Sequence, residues 1–94
     1  MVTHIVFWKL KEENHKENAA EIKRCIEALV GVIPGLIEAQ VGCNFNGGEY
    51  DLALVSKLES KEALQAYDTH PAHEKVRAFV RGVVQGRAAV DFEA

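Results

Sequence analysis

Apolar residues occupy both parities of Val2–Leu10, with His4, Val6, Trp8 and Leu10 alternating with Ile5 and Phe7. A strand with two such faces belongs in the middle of a sheet covered on both sides. Asp51–Leu58 repeats the pattern, setting Leu52 and Leu54 against Ala53 and Val55. Leu36–Phe45 differs. Its Ile37, Ala39, Val41, Cys43 and Phe45 alternate with Glu38, Gln40, Gly42 and Asn44, the pattern of an edge strand. Asn46-Gly47-Gly48 joins the second and third strands through residues that accept positive φ. No helix opens after the glycine pair, so it reads as a turn and not a phosphate loop.

The other segments follow a period of 3.6. Lys11–Asn18 reads as a polar loop, after which Ile22, Cys25, Ile26, Leu29 and Ile33 recur at helical spacing. Gly31 and Pro34-Gly35 are expected to end that helix. Ser60 is an N-cap for a short helix to about Tyr67. Pro71 then stands in the first turn of another helix, whose stripe is Ala72, Val76, Phe79, Val80 and Val83. Gly82 and Gly86 loosen its end before a last strand, Arg87–Phe92. The order β-α-β-β-α-β, its second helix broken, predicts an α+β, ferredoxin-like domain with a four-stranded antiparallel sheet. Its first and third strands are central. Helices then cover one sheet face only, leaving Ile5, Phe7, Ala53 and Val55 on the other. Burying that face against a second copy, sheet on sheet, is the expected remedy.

Length and charge narrow the classes further. Ninety-four residues make one domain, 1–94, and 11 basic against 14 acidic residues give a net charge of −3. No basic run marks a nucleic-acid or anionic-membrane partner. Met1-Val2-Thr3-His4 enters the first strand directly, without the composition of a secretory leader, and no apolar run reaches the ~18 residues of a membrane span. Cys25 and Cys43 form no C-x-x-C pair and read as buried, reduced core residues. The expected location is the cytoplasm.

Candidate chemistry concentrates in Tyr67-Asp68-Thr69-His70-Pro71-Ala72-His73. His73 lies one turn into its helix and shares a face with Val76 and Val80. The positive end of the helix dipole favours its neutral, proton-accepting form. It serves either as a pocket base or as a core histidine bonded to Tyr67, a backbone carbonyl or a strand. Tyr67 either donates to a developing enolate or packs with its hydroxyl at a rim. His70, before Pro71, is suited to a helix N-cap, with a ligand role as the alternative. His70 and His73 are three apart, yet no third and fourth ligand follows, so neither a metal nor another cofactor is called for. His4 and Trp8 share the strand face expected to meet the helices, where they line a cavity or fill the core. His15 reads as solvated, and Arg87 with Asp91 as a salt bridge or dimer contact.

The chain resembles the stress-responsive A/B barrel (Dabb) family from end to end. The resemblance rests on His4-Ile5-Val6, Ile33-Pro34-Gly35, Tyr50-Asp51-Leu52-Ala53-Leu54-Val55, the Ala66–His73 segment and the closing Val90-Asp91-Phe92. It implies a dimeric α+β barrel. A plant branch of the family, the polyketide cyclases that close a linear tetraketide by aldol condensation, places a tyrosine and a histidine spaced as Tyr67 and His73 as the acid/base pair. It also lines the pocket with a histidine matching His4. A further pocket histidine of that branch aligns with Leu52, so the resemblance carries the pocket further than the cyclase reaction.

The candidate catalytic residues are therefore Tyr67 and His73, and the candidate substrate-binding residues are His4, Trp8, Leu52 and His70. Three functions are compatible with them: a homodimer with an apolar pocket for a small aromatic or carbonyl-bearing molecule, a non-catalytic structural or stress-response homodimer, and a cofactor-independent monooxygenase on the same fold.

Overall fold

A computed structural model describes residues 1–93. The elements run β1 (Val2–Leu10), α1 (His15–Glu27), β2 (Leu36–Cys43), β3 (Leu52–Leu58), α2 (Lys61–Thr69), α3 (Pro71–Val83) and β4 (Val84–Glu93). All strand pairs are antiparallel in the order β2-β3-β1-β4, which puts the two doubly apolar strands in the centre. The three helices pack on the sheet face carrying Val6, Trp8 and Leu10 of β1 and Leu52, Leu54 and Leu58 of β3.

Several boundaries move for local reasons. α1 begins at His15, inside the expected loop, because Asn14 adopts a left-handed φ of 52° that Asn tolerates, and its carbonyl accepts from Asn18 N–H at 2.9 Å. The helix also ends early, at Glu27. Leu29 and Val30 then donate to carbonyls three residues back, a tighter turn than the α-helix, before Gly31 turns away at φ 88°. Leu29 and Ile33 stay buried throughout, so the apolar spacing outlives the helix.

In β2 the register shifts between Leu36 and Glu38. Ile37 is the extra residue of that bulge and is exposed, while Leu36 takes the covered face with Val41. Phe45 lies past the strand end and is exposed, and Cys43 is exposed where a buried thiol was expected. The outer edge of β2 is not left bare: Val41 N–H donates to Glu27 Oε2 at 2.9 Å, and Lys23 Nζ donates to the Val41 carbonyl at 2.8 Å. At the far edge α3 runs into β4 without a loop, so that strand begins three residues before the expected start.

The second sheet face has no cover. Phe7 and Val55 are 41% and 43% exposed at the middle of the sheet, and Val90 and Phe92 of β4 continue the patch at 61% and 47%. Aromatic contact between Phe7 and Tyr50, at 5.7 Å between centroids, extends it toward one end.

Gly35 positions α2 against β2. Its φ is 86°, and a Cβ there meets the Ala63 Cβ at 2.8 Å, whereas Gly31, at φ 88°, faces open space. Both replacements by alanine strain the backbone, but only Gly35→Ala also forces α2 outward. It is expected to lower the unfolding free energy by about 1–3 kcal/mol more than Gly31→Ala, as read by urea titration.

Candidate functional site

Ser60 caps α2, its hydroxyl accepting from Ala63 N–H at 3.1 Å, and the helix delivers Tyr67 and Asp68 to its last turn. Pro71 then starts α3, since the first helical position needs no amide donor. The residue between, His70, is extended at φ −66° and ψ 136°, and its Nδ1 accepts from Ala72 N–H at 3.0 Å. His70 is thus the N-cap of α3 and does not line the cavity described next.

α2 and α3 stand over β1 and β4 around a cavity of about 400 Å³. Tyr67 and His73 both line it, in contact as a tilted stack, 4.2 Å between ring centroids and 33° between planes. His4 meets Tyr67 edge-on at 6.1 Å. Trp8 contributes to the floor, as do Val6 and Leu54. Leu52, two residues before Leu54, packs instead into the core below Trp8, its cross-strand neighbour. The third-strand position that reaches the cavity is Leu54.

Burial pushes the phenol and the imidazole in opposite directions. It holds the Tyr67 phenol up at about 12, with the cations of Arg77 and Arg87 pulling only part of the way back. It also lowers the His73 imidazole below its usual value, and the neighbouring Arg77 charge adds to that. The helix dipole invoked from sequence gives the same direction, but desolvation is the leading cause. At neutral pH the pair is a protonated phenol and a neutral imidazole. The phenol hydroxyl has no hydrogen-bond partner among the described residues and is not a sealed polar atom.

The tautomer of His73 follows from counting donors. Arg77 Nη2 gives its two hydrogens to Asp68, at 2.5 Å to Oδ1 and 2.8 Å to the carbonyl, and Nη1 donates to Glu74 at 3.0 Å. Nδ1 of His73 lies 3.2 Å from the same Asp68 carbonyl and also 3.2 Å from Nη2, whose two hydrogens already have closer acceptors. The tautomer consistent with these contacts has Nδ1 protonated and donating to the carbonyl. The lone pair of Nε2 is left free. His4 also has its Nδ1 held by an acceptor, donating to Asp91 Oδ1. Asp91 thus pairs with His4 and not with Arg87, and Arg87 borders the cavity instead.

Asp68, Arg77, Arg87 and Asp91 join the site beyond the candidate catalytic and substrate-binding residues read from sequence. Arg77 was legible as the i+4 neighbour of His73. The contact between His4 and Asp91 depends on the β1–β4 register, which periodicity alone does not set. Among the described residues no cluster of three or more metal-ligating side chains occurs.

The stress-responsive A/B barrel domain model matches residues 2–94. The chain belongs to the stress-responsive A/B barrel family. A dimeric ferredoxin-like protein of unknown function from Bacteroides fragilis is 31% identical, with a TM-score of 0.91 over 99% of this chain and 95% of that one. The Arabidopsis thaliana protein At3g17210 is 25% identical, with a TM-score of 0.88 over 100% and 95%. The hydroxynitrile lyase of Passiflora edulis shares 15% identity, with a TM-score of 0.86 over 97% and 90%, a likeness of fold alone. No functionally curated protein matches the chain by sequence. No helix among the described residues of this family member is long and apolar enough to cross a membrane.

The desolvation of His73 has a measurable consequence. An imidazole whose folded pKa is lowered stays neutral in the native state while the unfolded chain takes up a proton. Stability is then full above the unfolded value of about 6.5 and falls as pH drops through it toward the folded value. His73→Gln is expected to flatten that acid limb in thermal unfolding. In proton NMR the wild-type His73 midpoint is expected below 6.5, and Arg77→Gln is expected to move it up.

Proposed function

We propose that this stress-responsive A/B barrel protein is a cytoplasmic homodimer that binds a small aromatic or carbonyl-bearing molecule in the cavity of each subunit and transfers a proton within it. The observation that supports this reading is the pairing of Tyr67 and His73 rings at 4.2 Å in one cavity, with a phenol held protonated and an imidazole held neutral. Environments that separate two titrating groups in this way suit acid/base assignment.

In the proposed step Nε2 of His73 removes a proton from the carbon beside a ligand carbonyl. The C–H bond breaks, its electron pair becomes the enolate, and negative charge gathers on the carbonyl oxygen. The Tyr67 hydroxyl, held too far up to be a base, donates a hydrogen bond to that oxygen. In an aldol closure the enolate carbon then attacks a second carbonyl of the same molecule, and the His73 imidazolium returns its proton to the new alkoxide. Atoms and charge balance, and no cofactor is needed. Val6, Leu54 and Trp8 supply an apolar floor that excludes water from the charged intermediate.

The proposed dimer rests on the uncovered sheet face, where Phe7, Val55, Val90 and Phe92 lie together, and on the dimeric state of the Bacteroides fragilis relative. Fully burying one such side chain is worth about 1.5–3 kcal/mol, so a face of this kind favours pairing with its own copy. Phe7→Lys with Val55→Lys is expected to halve the mass measured by sedimentation. A double variant that sediments unchanged rules out the sheet face as the interface.

Catalytic and architectural roles for Tyr67 separate on stability. The hydroxyl has no protein partner, so Tyr67→Phe is expected to change the unfolding free energy by less than about 0.5 kcal/mol. It is also expected to abolish the rise in melting temperature given by phenols, quinones or short polyketide mimics. A loss of about 1–3 kcal/mol, with no ligand shift in wild type, makes the residue a structural hydrogen-bond partner and leaves the dimer as the function.

A further inference from the structure

Four arginines occur in the chain, Arg24, Arg77, Arg81 and Arg87. Arg24 is paired with Glu21, and Arg77 with Asp68 and Glu74. The other two have no carboxylate partner among the described residues, although the chain carries 14 acidic side chains to its 11 basic ones. Both unpaired arginines line the cavity.

Their placement is specific. Arg81 occupies the last turn of α3, and Arg87 stands on β4 opposite Trp8. Both are exposed while Trp8 is buried, so the guanidinium groups mark the mouth above an apolar floor. Arg87 also borders the shallower groove that adjoins the cavity along β4. Counting Asp68 against Arg77, the cavity lining keeps two uncompensated positive charges in a protein whose net charge is −3. Guanidinium groups without a carboxylate partner suit oxyanions, through planar, charge-assisted hydrogen bonds.

We propose that the ligand of this cavity carries an oxyanion substituent, a carboxylate or a phosphate, that Arg81 and Arg87 receive at the mouth while the apolar body lies against Trp8 and Val84. The proposal rests on the pocket reading above and specifies its ligand class. It also gives the ligand a direction: the anionic end is outward, and the uncharged end points toward Tyr67 and His73. The competing account is solvation of both side chains, with Arg81 favoured at a helix C-terminus by the dipole alone.

Calorimetric titration with 2-naphthoate, 2-naphthyl phosphate and the uncharged 2-naphthamide decides between them. The anions are expected to bind wild type about tenfold more tightly than the amide, with an advantage that shrinks at high salt. Arg81→Gln with Arg87→Gln is expected to erase the advantage and leave amide binding unchanged, which also reports that the variant is folded. The tighter of the two anions identifies a carboxylate or a phosphate as the native group. Equal binding of amide and anions in wild type, or an anion preference that survives the double substitution, overturns the proposal while leaving the pocket intact. Failure of all three probes to bind removes the pocket reading itself, and this inference with it.

Discussion

Pro71 has no amide hydrogen to give to the carbonyl of Tyr67, the acceptor it would face in a continuous helix. The His70 N–H closes on that carbonyl instead, at 3.2 Å, and the chain turns. Without this break Tyr67 and His73, six residues apart, would be separated by about 9 Å of helical rise and would point about 120° apart. With it, their rings stack at 4.2 Å. The cavity, the neutral imidazole and the protonated phenol all follow from that one interruption, because each requires both rings to be withdrawn from water by the same wall. Asp68 and Arg77 span the break from either side and hold the two helices at their angle.

The burial that separates the two titrating groups also limits the roles each could take. A phenol lifted to about 12 is a poor base at neutral pH and a competent donor, and an imidazole lowered by desolvation is a poor acid in its resting state and a competent acceptor. Neither role needs the two rings to bond each other, and their stacked geometry leaves the hydroxyl and the Nε2 lone pair for a third molecule. Had the site evolved only to pin α2 to α3, a direct bond between the two would satisfy both groups at less cost.

How far the sequence carried this picture depended on whether the determining force was local. The doubly apolar β1 and β3, the Ser60 cap and the proline break are local signals, and they placed the sheet centre and the segment containing Tyr67 and His73. The family, shown over residues 2–94, agrees with the ferredoxin-like domain that the element order predicted. Register is not local. The bulge at Ile37 and the pairing of His4 with Asp91 arise from strands meeting across the sheet, so alternation alone put Ile37 on the covered face and linked Asp91 to Arg87. On the third strand Leu54 lines the cavity and Leu52 packs one step further along the same face, a difference of depth that alternation does not express. The apolar run through Ile33 was misleading in a different way, since a tight turn can bury residues at helical spacing without being a helix.

Histidine itself shows why residue type underdetermines function in this segment. His70 accepts a backbone amide at Nδ1, which places its proton on Nε2 and leaves no lone pair for a ligand proton. His73, three residues later, donates from Nδ1 to a carbonyl and so has its Nε2 lone pair free. His4 donates from Nδ1 to a carboxylate, a third kind of partner. The backbone conformation demanded by Pro71 thus assigns one imidazole to capping and leaves the Nε2 lone pair of its neighbour without a protein partner. A helix that continued unbroken through residue 71 would have no N-cap to fill at His70, and Tyr67 would not have the His73 ring stacked against it.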